Sequence, residues 1–103
     1  MKQKPDLSRL DAYSRRVAEL LLAACPRWRR HMHIEGSGSP ATLRVSVPSE
    51  KGALRIKVDG GSLKCNLPPS PKIIEVRGEA DEAVKNLFGL LELVKWPTGM
   101  KLL

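Results

Sequence analysis

The segment ATLRVSVPSEKGALRIKVDGGSLKCNL (residues 41–67) contains three runs in which apolar and polar residues alternate, separated by two turns. Successive side chains of a β-strand point to opposite faces, so alternation places one set inward and the other outward. In ATLRVSV, Leu43, Val45 and Val47 turn one way and Thr42, Arg44 and Ser46 the other. In ALRIKV, Leu54, Ile56 and Val58 share the inner face, and Arg55 and Lys57 the outer. SLKCNL repeats the scheme with Leu63, Cys65 and Leu67 inward and Lys64 outward. PSEKG reverses the chain after the first run. DGG after the second is a hairpin signal, because glycine accepts the positive φ that tight turns require. An antiparallel meander with one apolar and one cationic face is therefore predicted.

The preceding stretch PRWRRHMHIE (26–35) also reads with a period of two. Trp28, Arg30, Met32 and Ile34 fall on one side, and Arg27, Arg29, His31, His33 and Glu35 on the other, which predicts a strand over about 27–35. GSGSP (36–40) forms the turn out of it. A helix is predicted before it, from about Leu7 to Ala24. Pro5 and a capping Asp6 introduce it, Leu7, Leu10, Val17, Leu20, Leu21 and Ala24 form its apolar stripe, and Pro26 ends it. After the meander, LPPSP (67–71) cannot supply ladder hydrogen bonds at its prolines and reads as a rigid loop. KIIEVRG (72–78) is a candidate edge strand. A second helix from about Ala80 to Lys95 carries Ala80, Ala83, Val84, Leu87, Phe88, Leu91 and Val94 on one stripe and stops at Pro97 and Gly99.

The expected fold class is α+β: an antiparallel four- or five-stranded meander sheet with N- and C-terminal helices packed on one face. The 103 residues make a single α+β domain, with 1–5 and 98–103 expected to be flexible tails. An apolar fraction of 42% excludes a disordered chain, and no apolar run is long enough for a membrane span. MKQKPD lacks the apolar stretch of a secretory signal, so a cytoplasmic location is expected. Cys25 and Cys65 stand outside any close metal-ligand spacing and read as buried free thiols.

The net charge of +7 is unevenly placed. Residues 1–35 hold eight basic and four acidic groups and residues 36–77 seven and three, whereas 78–103 hold three and four. The excess thus lies in the first helix and the sheet, and its field attracts acidic partners. Arg29, His31, Arg44, Arg55, Lys57 and Lys64 are the candidate partner-binding residues on the solvent face of the sheet. His31, His33 and Glu35 share one side, but an HxH pair among arginines is a poor cation site, so no metal and no cofactor is expected. No nucleophile elbow, acid pair or glycine-rich phosphate loop marks a catalytic centre, which predicts a protein that is not an enzyme. Cations spread over several strands suit a phosphate backbone. However, of the four aromatics Trp28 and Phe88 belong to the core, and neither Tyr13 nor Trp96 lies on the sheet, leaving no ring for base stacking. Nonspecific nucleic-acid binding through the same face is the alternative, and a homo-oligomer that buries this face is a third.

One pattern runs through the whole order of elements: a helix leading into Trp28-x-x-His31, then Leu43 to Ser49 as L-x-V-x-V-P-S, then Leu54 to Gly61 as L-x-I-x-V-x-G-G, and a C-terminal amphipathic helix. Over about residues 7–95 it resembles small bacterial proteins found among the polymorphic-toxin immunity proteins. Where that group carries a histidine-rich aromatic segment after the fourth strand, this chain has LPPSPK. The resemblance implies a protein that docks onto an acidic toxin or effector and blocks it without turnover, with arginine forks gripping carboxylates.

Overall fold

A computed structural model describes residues 7–36, 40–49, 52–67 and 70–93. The elements in chain order are a 3-10 turn at Leu7–Arg9, helix α1 (Ala12–Ala24), a 3-10 segment at Pro26–His31, and strands β1 (Met32–Glu35) and β2 (Thr42–Val47). Strands β3 (Leu54–Asp59), β4 (Ser62–Asn66) and β5 (Ile73–Val76) follow, and helix α2 (Ala80–Leu93) closes the order. The five strands form one open antiparallel sheet in the order β1-β2-β3-β4-β5, so KIIEV does join it, as an edge strand. The meander, the α+β class and the two flanking helices are as the alternation predicted. The expected tails at 1–5 and 98–103 and the end of the second helix at Val94–Pro97 fall outside the described residues.

Alternation decides which face is buried. Leu43, Val45 and Val47 of β2, Leu54, Ile56 and Val58 of β3, and Leu63 and Cys65 of β4 are all buried, whereas Arg44, Ser46, Arg55, Lys57 and Lys64 between them are exposed. The helices cover the apolar face through Val17, Ala18 and Leu21 of α1 and Ala83, Val84, Leu87 and Leu91 of α2. Fully burying each of these valine, leucine and isoleucine side chains stabilises the fold by roughly 1.5–3 kcal/mol before chain entropy is counted. Trp28 and Phe88 close one part of this core with ring centroids 6.2 Å apart. Ser14, also fully buried in α1, donates its hydroxyl to the Val58 carbonyl at 3.4 Å and so satisfies itself against the sheet.

Two local predictions are corrected. The first helix begins at Ala12, not near Leu7, because Asp11 rather than Asp6 is its cap: the Asp11 carboxylate accepts the Ser14 N–H at 2.7 Å. Leu7 and Leu10 carry the apolar spacing into a separate 3-10 turn, in which Leu10 N–H donates to the Leu7 carbonyl at 3.1 Å. The second correction concerns residues 26–31, which form a 3-10 segment, leaving only Met32–Glu35 as strand. Pro26 supplies a fixed φ at its first position, and Trp28 N–H donates to the Cys25 carbonyl at 2.9 Å. Residues three apart eclipse in such a helix. Accordingly Cys25 and Trp28 are buried and His31 half-buried on one side, while Arg27, Arg29 and Arg30 are exposed. A strand would have turned Arg30 toward the core.

Candidate functional site

Antiparallel pairing converts the outward residues of the meander into rows that cross the strands. In one row His33 of β1 lies opposite Arg44 of β2, Arg44 opposite Lys57 of β3, Lys57 opposite Lys64 of β4, and Lys64 opposite Glu75 of β5. The next row runs from Ser46 through Arg55 and Asn66 to Ile73. Neighbouring strands are about 4.8 Å apart, so Arg44, Lys57 and Lys64 place three like charges side by side, an arrangement that destabilises a sheet when nothing neutralises it.

A groove of about 550 Å³ opens over these two rows, at the end of the sheet where β3 begins, β4 ends and β5 begins. Arg44, Arg55, Lys57 and Lys64 all line it, with Asn66 and Ser70 as the other polar side chains, and no carboxylate lines it among the described residues. Gly52 and Ala53 before β3 bound one side, and Pro71 and Ile73 the other. Among the described residues the carboxylates of this face lie at its margins and are engaged. Glu35 pairs with Arg44 at 2.7 Å, Asp59 accepts from Thr42 at 3.5 Å, and Glu75 pairs with Arg77 at 3.4 Å. Glu35 thus holds the Arg44 guanidinium at the edge of the groove, while Arg55, Lys57 and Lys64 have no ion-pair partner among the described residues.

Four of the six residues expected to bind a partner therefore meet at one groove. Arg29 and His31 do not: they sit on the 3-10 segment beside α1 and outside the sheet rows, whereas His33 stands in the rows opposite Arg44. Burial, reinforced by Arg30 and His33, holds the His31 imidazole below its ordinary 6.5. Asn66, Ser70 and Ile73 were not singled out from the sequence. For Asn66 the signal was present, since a two-residue turn at Gly60–Gly61 fixes the β3–β4 register and puts residue 66 opposite 55.

Neither thiol offers a nucleophile. Cys25 and Cys65 are both buried and neither forms a disulfide, and burial pushes the Cys65 thiol up to about 11. Among the described residues no group of three His, Cys, Asp or Glu side chains is placed to hold a metal ion. No described helix is long and apolar enough to cross a membrane. The fold and site together define an open α+β meander that presents a cationic groove on the sheet face that the described helices leave uncovered. No protein-family model matches the chain, nor does any curated protein or solved structure.

Proposed function

We propose that this is a non-catalytic interaction protein that binds an acidic protein partner through the open face of its sheet. The observation that carries the reading is the crowding of Arg44, Arg55, Lys57 and Lys64 around one groove whose lining, among the described residues, lacks a carboxylate. Like charges so arranged disfavour the free protein and favour a complex that brings counter-charges. Two details favour a protein over a nucleic acid. Trp28 and Phe88 face each other inside the core and Tyr13 belongs to α1, so the described sheet face has no ring for stacking bases. Ile73, 64% exposed on the groove rim, provides apolar contact for a partner side chain. The immunity or inhibitor form of this activity, in which the partner is a bacterial toxin or effector, is supported by the sequence resemblance alone.

The test is affinity capture with wild-type and Arg55→Glu/Lys57→Glu baits, with and without nuclease treatment. It is paired with titration of mixed-sequence DNA and RNA from low to physiological salt. The expected result is an acidic protein retained by the wild type after nuclease treatment and lost from the variant. Micromolar nucleic-acid binding with a steep salt dependence, or capture that nuclease abolishes, would replace this reading with nonspecific phosphate-backbone binding.

A further inference from the structure

The polar atoms of the groove have a common sense of polarity. Asn66 uses its side-chain oxygen to accept the Arg55 N–H at 3.2 Å, which fixes the orientation of the amide and leaves its NH2 group to donate. Ser70 accepts the Lys72 N–H at 3.2 Å on its hydroxyl oxygen, leaving the O–H to donate. Arginine and lysine have donors only. All six polar side chains lining the groove among the described residues thus have a donor to offer, a set that suits a ligand made of acceptor oxygens.

Size and spacing narrow the class. A groove of about 550 Å³ is in the range of small-molecule sites. Two strand spacings, roughly 9–10 Å, separate the backbones that carry Arg44 and Lys64, and Arg55 lies two residues, roughly 7 Å, along β3 from Lys57. A short chain of phosphoryl groups matches cations spread over that area and can touch several of them at once. We propose that the groove is a binding site for a small molecule bearing a polyphosphate chain of two or more phosphoryl groups. Lys57, Lys64 and Arg55 neutralise the chain, and Asn66 and Ser70 donate to its oxygens. The site uses cations of the proposed partner surface but requires no partner, so failure to capture a protein leaves it standing.

The probe is inorganic tripolyphosphate, titrated calorimetrically into the full chain at physiological salt, with orthophosphate alongside. Expected is saturable one-to-one binding of tripolyphosphate at least about tenfold tighter than orthophosphate, the gain that one added charged hydrogen bond supplies. Lys57→Gln and Asn66→Asp should each weaken it about tenfold or more. Asn66→Asp is the sharper of the two, because aspartate still accepts the Arg55 N–H and keeps the hairpin, yet replaces a donor with an anion. Lys85→Gln on α2 removes the same charge as Lys57→Gln from a residue that does not line the groove and should leave the affinity within twofold of wild type. Absence of binding to the wild type, equal affinities for the two phosphates, equal losses in Lys57→Gln and Lys85→Gln, or undiminished binding by a folded Asn66→Asp variant would each overturn the proposal. None of those results bears on protein capture, so the two readings fail separately.

Discussion

On a strand, His31 would have stood in solvent as one more cation-forming group; on the 3-10 segment it lines up with Cys25 and Trp28 and is half-buried. Its neutral form is favoured in the folded protein by burial and by the charge of Arg30. The unfolded chain therefore takes up the proton first as pH falls, and the fold loses stability from about pH 6.5 downward until the folded imidazole itself is protonated. Urea denaturation at pH 7.5 and 5.5 should show a loss of stability at the lower pH that is smaller in His31→Gln. An identical loss in the variant would assign the pH dependence to other groups. Cys65 shows the same preference for the uncharged form at a different residue: with its thiol held at about 11, it is a packing group at neutral pH.

At the scale of elements, α1 depends on a single polar cap. Asp11 accepts the Ser14 N–H at 2.7 Å, while its own carbonyl receives the Arg15 N–H at 2.9 Å. Asp11→Ala should cost about 1 kcal/mol, in the range measured for such caps, as chemical denaturation of the variant would show. In the sequence the apolar spacing runs back to Leu7 and so points to Asp6 as the cap, whereas the 3-10 turn at Leu7–Arg9 separates that spacing from the helix. The strands of the meander were legible because their alternation is strict and the Gly60–Gly61 turn leaves only one register, with both glycines at positive φ. Residues 26–31 were misread because Trp28, Met32 and Ile34 fit a period of two equally well. Only the burial of His31 and exposure of Arg30 separate the alternatives, and packing against α1 and β2 decides those. The same division holds for the site. Arg44, Arg55, Lys57 and Lys64 follow from alternation, and Asn66 from register, whereas Ser70 reaches the groove by the path of a loop that carries no periodic signal.

At the scale of the whole molecule, helices from opposite ends of the chain meet over the sheet. Arg16 of α1 donates two hydrogen bonds to the Asp81 carboxylate at the start of α2, at 3.1 and 3.0 Å, and the buried faces of both helices join one core. The strands beneath them are arranged differently: each pairs only with its neighbours in the chain. Spatial order equal to chain order means that every ladder closes a short loop, so the sheet can grow hairpin by hairpin, and the wide loop spanning α1 to α2 need close only once. The tightest of these closures is the Gly60–Gly61 turn. Gly61 has φ +78° with open space where a Cβ would stand, so Gly61→Ala strains the backbone without creating a clash. Stopped-flow chevrons should show this variant refolding several-fold more slowly with little change in unfolding rate, placing the β3–β4 hairpin in the folding nucleus. Faster unfolding with unchanged refolding would instead put helix docking first. If the hairpin leads, the two strands that carry Arg55, Lys57, Lys64 and Asn66 come together before the core is sealed, and the groove begins to take shape early in folding.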